Sequence, residues 1–263
     1  IEISIIIMES FIYYILDKFF ENDNTNLLFN KLKQKNSAVI FDIGCYKGNF
    51  TINLINHFKK NKLNSYKNYS YFLFDPIPNL KKELINQNNL NYKYLEYAVD
   101  SKSSKKEFYL NQFYNSAGSS LIGIHYADRL WLNSRKIFMK IMNPFKIKNN
   151  FKTINVKTIS IDDFVKKNNI DKIDLLKIDS EGNEYNILLG SKTTLKNKKI
   201  DMIYLEVLDN KNKYFEKENL IINFLKNYNF SLLKKDKLRL TSFLSDIIAY
   251  DLFFIKKRWN YFD

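Results

Sequence analysis

The chain has 263 residues, enough for one large domain or two small ones. Its 45% hydrophobic, 27% charged and 16% aromatic residues exclude a disordered chain and fit a folded globule. The formal charge of +14 admits nucleic acid, an anionic membrane or an acidic substrate as partner. Against this, the lysines are spread along the chain and arginine, the better bidentate partner of phosphate, is scarce, so a solvated lysine-rich surface is the plainer account. Cys45 is the single cysteine, so no intrachain disulfide can form, which suits a reducing, cytoplasmic setting.

The chain opens IEISIIIMESFIYYIL, without an initiator methionine. Ile5, Met8, Ile12, Ile15 and Phe19 recur at three- and four-residue steps, which predicts a helix over 3–20. Glu2 and Glu9 interrupt it and no basic segment precedes it, so neither a signal peptide nor a transmembrane segment is expected. Packing on the following domain is its expected role, with membrane-surface contact or self-association as the alternative. Residues 21–26 read as a loop and 27–33 as a short helix.

From residue 35 strand-like and helix-like runs alternate. Strands are predicted at 38–42, 69–74, 92–99, 106–110, 173–178 and 200–207, and helices at 49–59, 79–88 and 220–227. Residues 230–234 and 247–255 would close the sheet as an antiparallel pair. The alternation predicts a three-layer α/β domain with a mainly parallel sheet. The polar loop NQFYNSAGSSL at 111–121 and a basic, aromatic segment at 124–142 interrupt it. The insertion, 123–150, is expected to lie over the ligand crevice as a lid or acceptor-binding element. The expected division is a helical extension at 1–37, one domain at 38–257 and a tail at 258–263.

Three stretches carry chemistry. In VIFDIGCYKGNFT, 39–51, a strand ends near Asp42, and Gly44 and Gly48 precede a helix. Gly44 permits a sharp turn, and Gly48 lets a helix N-terminus approach a ligand. The pattern lacks the full spacing of a dinucleotide fingerprint and the lysine of a phosphate loop. In FLFDPIPNL, Asp75 ends the next strand, where a carboxylate accepts from both hydroxyls of a ribose; the alternative is a helix cap. In LLKIDSEGNEYNILLG, Asp179, Glu181 and Glu184 crowd together beside Lys177, and Gly182 allows an unusual turn. IYLEV then places Glu206 at a neighbouring strand end. Asp179 and Glu206 could share a hard divalent ion or a substrate hydroxyl, whereas Glu181 and Glu184 could instead support the following helix.

Together these motifs resemble the FkbM family of S-adenosylmethionine-dependent methyltransferases. The matching pieces run in order: FDIGCYKGNFT, FDPIPNL, AVD, GSSL, VKTISIDDFVKKNNIDKIDLLKIDSEGNEYNILLG, IDMIYLEV and DLFFIKK, over roughly residues 38–257. The resemblance implies a class I methyltransferase (Rossmann-like) fold with a seven-stranded sheet, one strand antiparallel. It implies S-adenosylmethionine held at Asp42, Gly44, Cys45, Tyr46 and Gly48, with Asp75 on the ribose, Pro76 beside it, Ala98 and Val99 near the adenine, and Asp179 near the methyl group. Tyr46 stands where the family often carries a small or amide residue.

Family members mostly methylate oxygen, often sugar hydroxyls. A hydroxyl is a weak nucleophile, so a base or a metal must assist. Asp179 is the first expected catalytic residue, then Glu181 and Glu206, with His125 of the insertion a further base and His57 structural. A magnesium ion on Asp179 and Glu206 is the metal alternative. Tyr126, Arg129, Trp131 and Arg135 could grip a sugar, stack on bases or pack the insertion down. The leading expectation is O-methylation of a glycan or small-molecule hydroxyl. The alternatives are an RNA methyltransferase, and a catalytically silent module that binds cofactor or partner.

Overall fold

The computed structural model describes residues 23–82, 91–111, 119–122, 151–210, 216–237 and 247–257. The predicted helix over 3–20, His125 and the 123–150 insertion lie outside these residues. Helix α1 (Asp23–Leu32) starts earlier than predicted, since Asp23 and its polar neighbours suit a helix N-terminus better than a loop.

Strand β1 (Val39–Ile43) leads into α2 (Asn49–Lys60), then β2 (Ser70–Phe74) and β3 (Asn91–Leu95). Strand β4 (Ala98–Val99), β5 (Ser104–Asn111), β6 (Phe151–Ile159) and α3 (Ile161–Lys167) follow. Next come β7 (Ile173–Ile178), α4 (Glu184–Leu189), α5 (Lys192–Lys196) and β8 (Ile200–Asn210). Helix α6 (Glu216–Lys226), β9 (Phe230–Lys237) and β10 (Ile247–Lys256) end the described chain.

The main sheet has seven strands in the order β3-β2-β1-β7-β8-β10-β9, all parallel except β10, which runs antiparallel to both neighbours. The central strands are apolar on both faces because both are covered. Ile40, Leu73, Leu175, Met202 and Phe253 pack on Leu28 and Leu32 of α1 and Leu54 and Phe58 of α2. Phe41, Phe74, Leu176, Ile203 and Phe254 face Phe164 of α3, Ile187 of α4 and Leu225 of α6. Helices on both faces make the three layers. Among the described residues no helix is long and apolar enough to cross a membrane.

The predicted strand at 92–99 is two strands. β3 extends the main sheet, whereas β4 joins a second, three-stranded sheet in the order β4-β6-β5. The Leu95 carbonyl accepts from both Asp75 and Tyr97, which turns the chain out of the main sheet there. The TISIDDF stretch serves this junction. Ser160 caps α3 by accepting from the Asp163 amide, and Asp162 caps α5 by accepting from the amides of Thr193 and Thr194.

Candidate active site

The strand order reverses between β1 and β7, which opens a crevice at the carboxyl ends of the strands. Ile43 is in register with Phe74 on one side and Ile178 on the other, and Ile178 with Leu205. The next residue on each strand therefore falls in one row: Asp75, Gly44, Asp179 and Glu206. Glu206 in turn faces Asp251 across the β8–β10 pair. Two residues back, Asp42, Lys177 and Tyr204 form a second row on the same face, in register.

The loop after β1 is pinned. The amides of Gly44 and Cys45 both donate to the Phe74 carbonyl, at 2.9 and 3.1 Å, and the Gly48 amide donates to the Cys45 carbonyl at 2.7 Å. Gly44 (φ 69°), Tyr46 (φ 47°) and Gly48 (φ 79°) all adopt left-handed backbone. Asp75 fixes the loop from the next strand, its two carboxylate oxygens accepting from the amides of Tyr46 (2.9 Å) and Ile77 (3.0 Å). A carboxylate offers about four acceptor positions, so these two bonds leave two more, and Asp75 lines the first cavity described below. Burial pushes the Asp75 carboxyl up to about 6, although the two amides and Lys177 oppose the rise.

The turn after β7 is held from three directions. Glu181 (φ 52°) and Gly182 (φ 110°) are left-handed. The Glu184 carboxylate accepts from the Gly182 amide at 2.7 Å and the Ser180 hydroxyl at 3.0 Å, and pairs with Lys217 of α6 at 2.8 Å. Lys217 also donates to the Gly182 carbonyl, and the buried Ser120 hydroxyl to the Glu181 carbonyl at 2.7 Å. Glu184 thus acts within the turn and lines neither cavity described next.

Two cavities meet at Gly44, Tyr46 and Asp179. The first, about 200 Å³, is walled mainly by apolar Pro76, Ile77, Ala98, Val99, Phe108 and Leu121, with Asp75, Ser119, Ser180, Glu181 and Asn183 as its further polar points. The second, about 250 Å³, is lined by Asn49, Phe50, Cys45, Lys177, Tyr204, Glu206 and Asp251. The Phe50 and Tyr204 rings stack along its wall at 5.9 Å.

The Asp179 side chain keeps 35% of its surface, turned into these cavities. Removal from bulk water raises its carboxyl to about 6; Lys177 opposes the rise while Glu181 and Glu184 add to it. Glu206 is pushed well above the ordinary carboxylate range, first by burial and then by Asp179 and Asp251. The Cys45 thiol is raised by burial and by the Asp75 and Asp42 charges, so it is no reactive thiolate.

Sequence reasoning named Gly44, Cys45, Tyr46, Asp75, Pro76, Ala98, Val99, Asp179, Glu181 and Glu206, and all ten line one or both cavities. Asp42 and Gly48 do not. Asp42 is fully buried one row back, accepting from the Thr51 hydroxyl at 2.8 Å and facing Lys177 at 3.2 Å. Gly48 caps α2. Nothing in the described residues supports the magnesium expectation on Asp179 and Glu206. Among the described residues no group of three or more His, Cys, Asp or Glu is arranged to hold a metal ion, and the ammonium of Lys177 already sits against Asp179. The donors do not fit the ion. Sequence reasoning missed Asp251, Tyr204, Phe50 and Asn183. Asn183 lies inside the quoted LLKIDSEGNEYNILLG, yet its role depends on donating a bond to the Val99 carbonyl at 3.1 Å.

A family model described as Methyltransferase FkbM domain matches residues 42–232. A search of the curated proteins finds no match. Among solved structures, the chain is similar to the precorrin-6y C5,15-methyltransferase of Geobacter metallireducens GS-15, at 10% identity and TM-score 0.40, with 89% of this chain and 87% of that chain covered. It is also similar to a SAM dependent methyltransferase from Aquifex aeolicus, at 9% identity and TM-score 0.43, covering 89% and 90%. The N-methyltransferase NodS of Bradyrhizobium japonicum WM9 matches at 10% identity and TM-score 0.41, covering 92% and 99%.

Proposed function

The chain belongs to the FkbM family of S-adenosylmethionine-dependent methyltransferases, and from that premise we propose that it transfers a methyl group to a hydroxyl of a glycan or glycan-like acceptor. The observation that carries the reading is the single row of Asp75, Gly44, Asp179 and Glu206, with one cavity on each side of Asp179.

The first cavity fits a nucleoside. The two remaining acceptor positions of Asp75 suit the paired hydroxyls of a ribose, and the apolar wall of Pro76, Ile77, Ala98, Val99 and Leu121 keeps water from a base. Bound there, S-adenosylmethionine supplies an electrophilic methyl on a sulfonium. The chain's residues do the rest. Asp179, shared by both cavities, accepts the hydroxyl proton, and its carboxyl near 6 is ionised at neutral pH yet basic enough to do so. The walls align acceptor and donor, which is mostly a proximity effect.

The chemistry of the second cavity favours a neutral, hydroxyl-bearing acceptor. Its side chains include Asp179, Glu206 and Asp251, and the one cation among its described lining residues, Lys177, is already shared between carboxylates. Such a lining accepts hydrogen bonds from hydroxyls and repels phosphate. The Phe50–Tyr204 wall suits the apolar face of a sugar ring. The RNA reading keeps the +14 charge in its favour; methyl incorporation into RNA with steep salt dependence would support it. The buried lone cysteine fits a reducing, cytoplasmic setting.

Calorimetric titration with S-adenosylhomocysteine, beside Asp75→Ala, tests the cofactor side. Two hydrogen bonds to a charged acceptor at about 1.5–3 kcal/mol each predict a loss of about 100-fold or more in the variant. Hydroxyl donors favour ionised Asp75, so binding to the wild type should release protons near pH 6 and weaken as pH falls below it. No binding by folded wild type would sink the reading. Product formed on neutral glycosides and not on anionic ones would support the acceptor class.

A further inference from the structure

We propose that Lys177 is a positioning residue whose buried ammonium holds the Asp179 carboxylate against the glycine loop. It thereby ties the proton-accepting group to the cofactor side of the crevice. The assignment of Asp179 as proton acceptor rests on the function proposed above; the placement of Lys177 does not.

The Lys177 ammonium lies 3.2 Å from Asp42 Oδ1, 3.4 Å from Asp179 Oδ2 and 3.4 Å from the Gly44 carbonyl oxygen. It also lies 5.6 Å from the centre of the Phe50 ring. One cation is therefore divided among three oxygens from three different places: the body of β1, the tip of β1 and the tip of β7. Behind it Asp42 holds the Thr51 hydroxyl in the first turn of α2. The chain of contacts runs from α2 through Asp42 and Lys177 to Asp179 and the glycine loop. Because Lys177 engages Oδ2, the second oxygen of Asp179 is left for an acceptor.

Lys177 is 6% exposed and carries the single positive charge among the described residues lining the two cavities. Burial works against its ammonium, but Asp42 and Asp179 outweigh burial and hold its pKa above the ordinary lysine range. The other titratable groups around it are Cys45 from the loop, Tyr204 and Glu206 from β8 and Asp251 from β10. None of these supplies a cation. Without Lys177 the Asp179 carboxylate would face only like charges and would swing freely in the crevice.

Replacing Lys177 alone strands the buried Asp42 charge and risks the fold. The test therefore uses Asp42→Asn/Lys177→Met, which removes both charges and keeps an acceptor for Thr51, beside Lys177→Arg, which keeps the cation. Aspartate side-chain carboxyl carbons are followed by ¹³C NMR against pH, with and without S-adenosylhomocysteine, and Asp179→Asn assigns the signal. Losing the ammonium at this distance, partly offset by losing the more distant Asp42 charge, should raise the Asp179 midpoint by about 1 pH unit or more and change its line shape, whereas Lys177→Arg should leave the midpoint in place. An Asp179 signal unchanged in midpoint and line shape in the folded double variant would overturn the proposal. A midpoint that moves in the double variant, while the wild type itself binds no S-adenosylhomocysteine, would uphold the role of Lys177 and bring down the cofactor reading instead.

Discussion

Asp179→Asn is expected to lower methyl transfer by about 10²- to 10⁴-fold, the usual worth of a positioned general base, while leaving S-adenosylhomocysteine affinity within a few-fold of wild type. The asymmetry follows from the position of the side chain. Asp179 lines both cavities, whereas Asp75, Ser119 and Asn183 line the nucleoside cavity alone. The neighbouring carboxyl sharpens the expectation. Glu206 is held well above the ordinary range, first by burial and then by Asp179 and Asp251, which favours its protonated form. Glutamine resembles that neutral form, so Glu206→Gln should be mild where Asp179→Asn is severe. Two carboxyls whose surroundings push their proton affinities apart divide the work of base and hydrogen-bond donor. The pH profile of kcat/KM for the acceptor, taken at saturating S-adenosylmethionine so that Asp75 does not contribute, provides the check. Asp179 must be ionised to accept a proton, so the rate should fall as pH drops through about 6, and that limb should vanish in Asp179→Asn. Equal losses in the two variants would contradict the division.

The parts of this site legible in the sequence are those where a polar residue ends an apolar run. Buried parallel strands are apolar on both faces, so FDIG, FLFDP and LLKIDS each announce where a strand stops and a crevice begins. The row they form was not legible, because register between strands distant in the chain leaves no local mark. Asp251 shows the difference. It sits inside IIAYDLFFIK, which reads only as a closing strand, and it becomes a site residue through its pairing opposite Glu206. The second sheet was hidden for a related reason. FKTINVKTI pairs with SKKEFYLN over eight positions, and neither strand is a continuous apolar run. Asp42 was legible as important but not as what it is, since an acidic residue near a glycine loop reads as a ligand contact until its burial and its partners Thr51 and Lys177 are known.

Gly44→Ala should cost about 2–5 kcal/mol, from overpacking of about 1–3 kcal/mol and a left-handed backbone penalty of about 1–2 kcal/mol. A Cβ built on Gly44 falls 1.7 Å from the Asp179 carbonyl oxygen and 2.8 Å from its carbonyl carbon. Both are backbone atoms, so no rotamer relieves the clash, and β1 and β7 must separate at their tips. The φ of +69° disfavours any side chain as well. At about 2–4 °C per kcal/mol for a domain of this size, the midpoint of thermal unfolding should fall by about 10 °C. Gly190→Ala separates the two causes. Its Cβ would meet the Asp100 carbonyl oxygen at 2.3 Å, but its φ of −77° suits alanine, so it should cost less. The consequence for the site is more telling than the stability loss. The same wedge that parts the strands moves Asp179 away from Lys177 and from the loop carrying Tyr46, so the variant should bind S-adenosylhomocysteine poorly even well below its melting midpoint. A Gly44→Ala protein that melted like wild type and bound normally would mean that the tips of β1 and β7 do not touch, and the row that unites the site would have no physical basis.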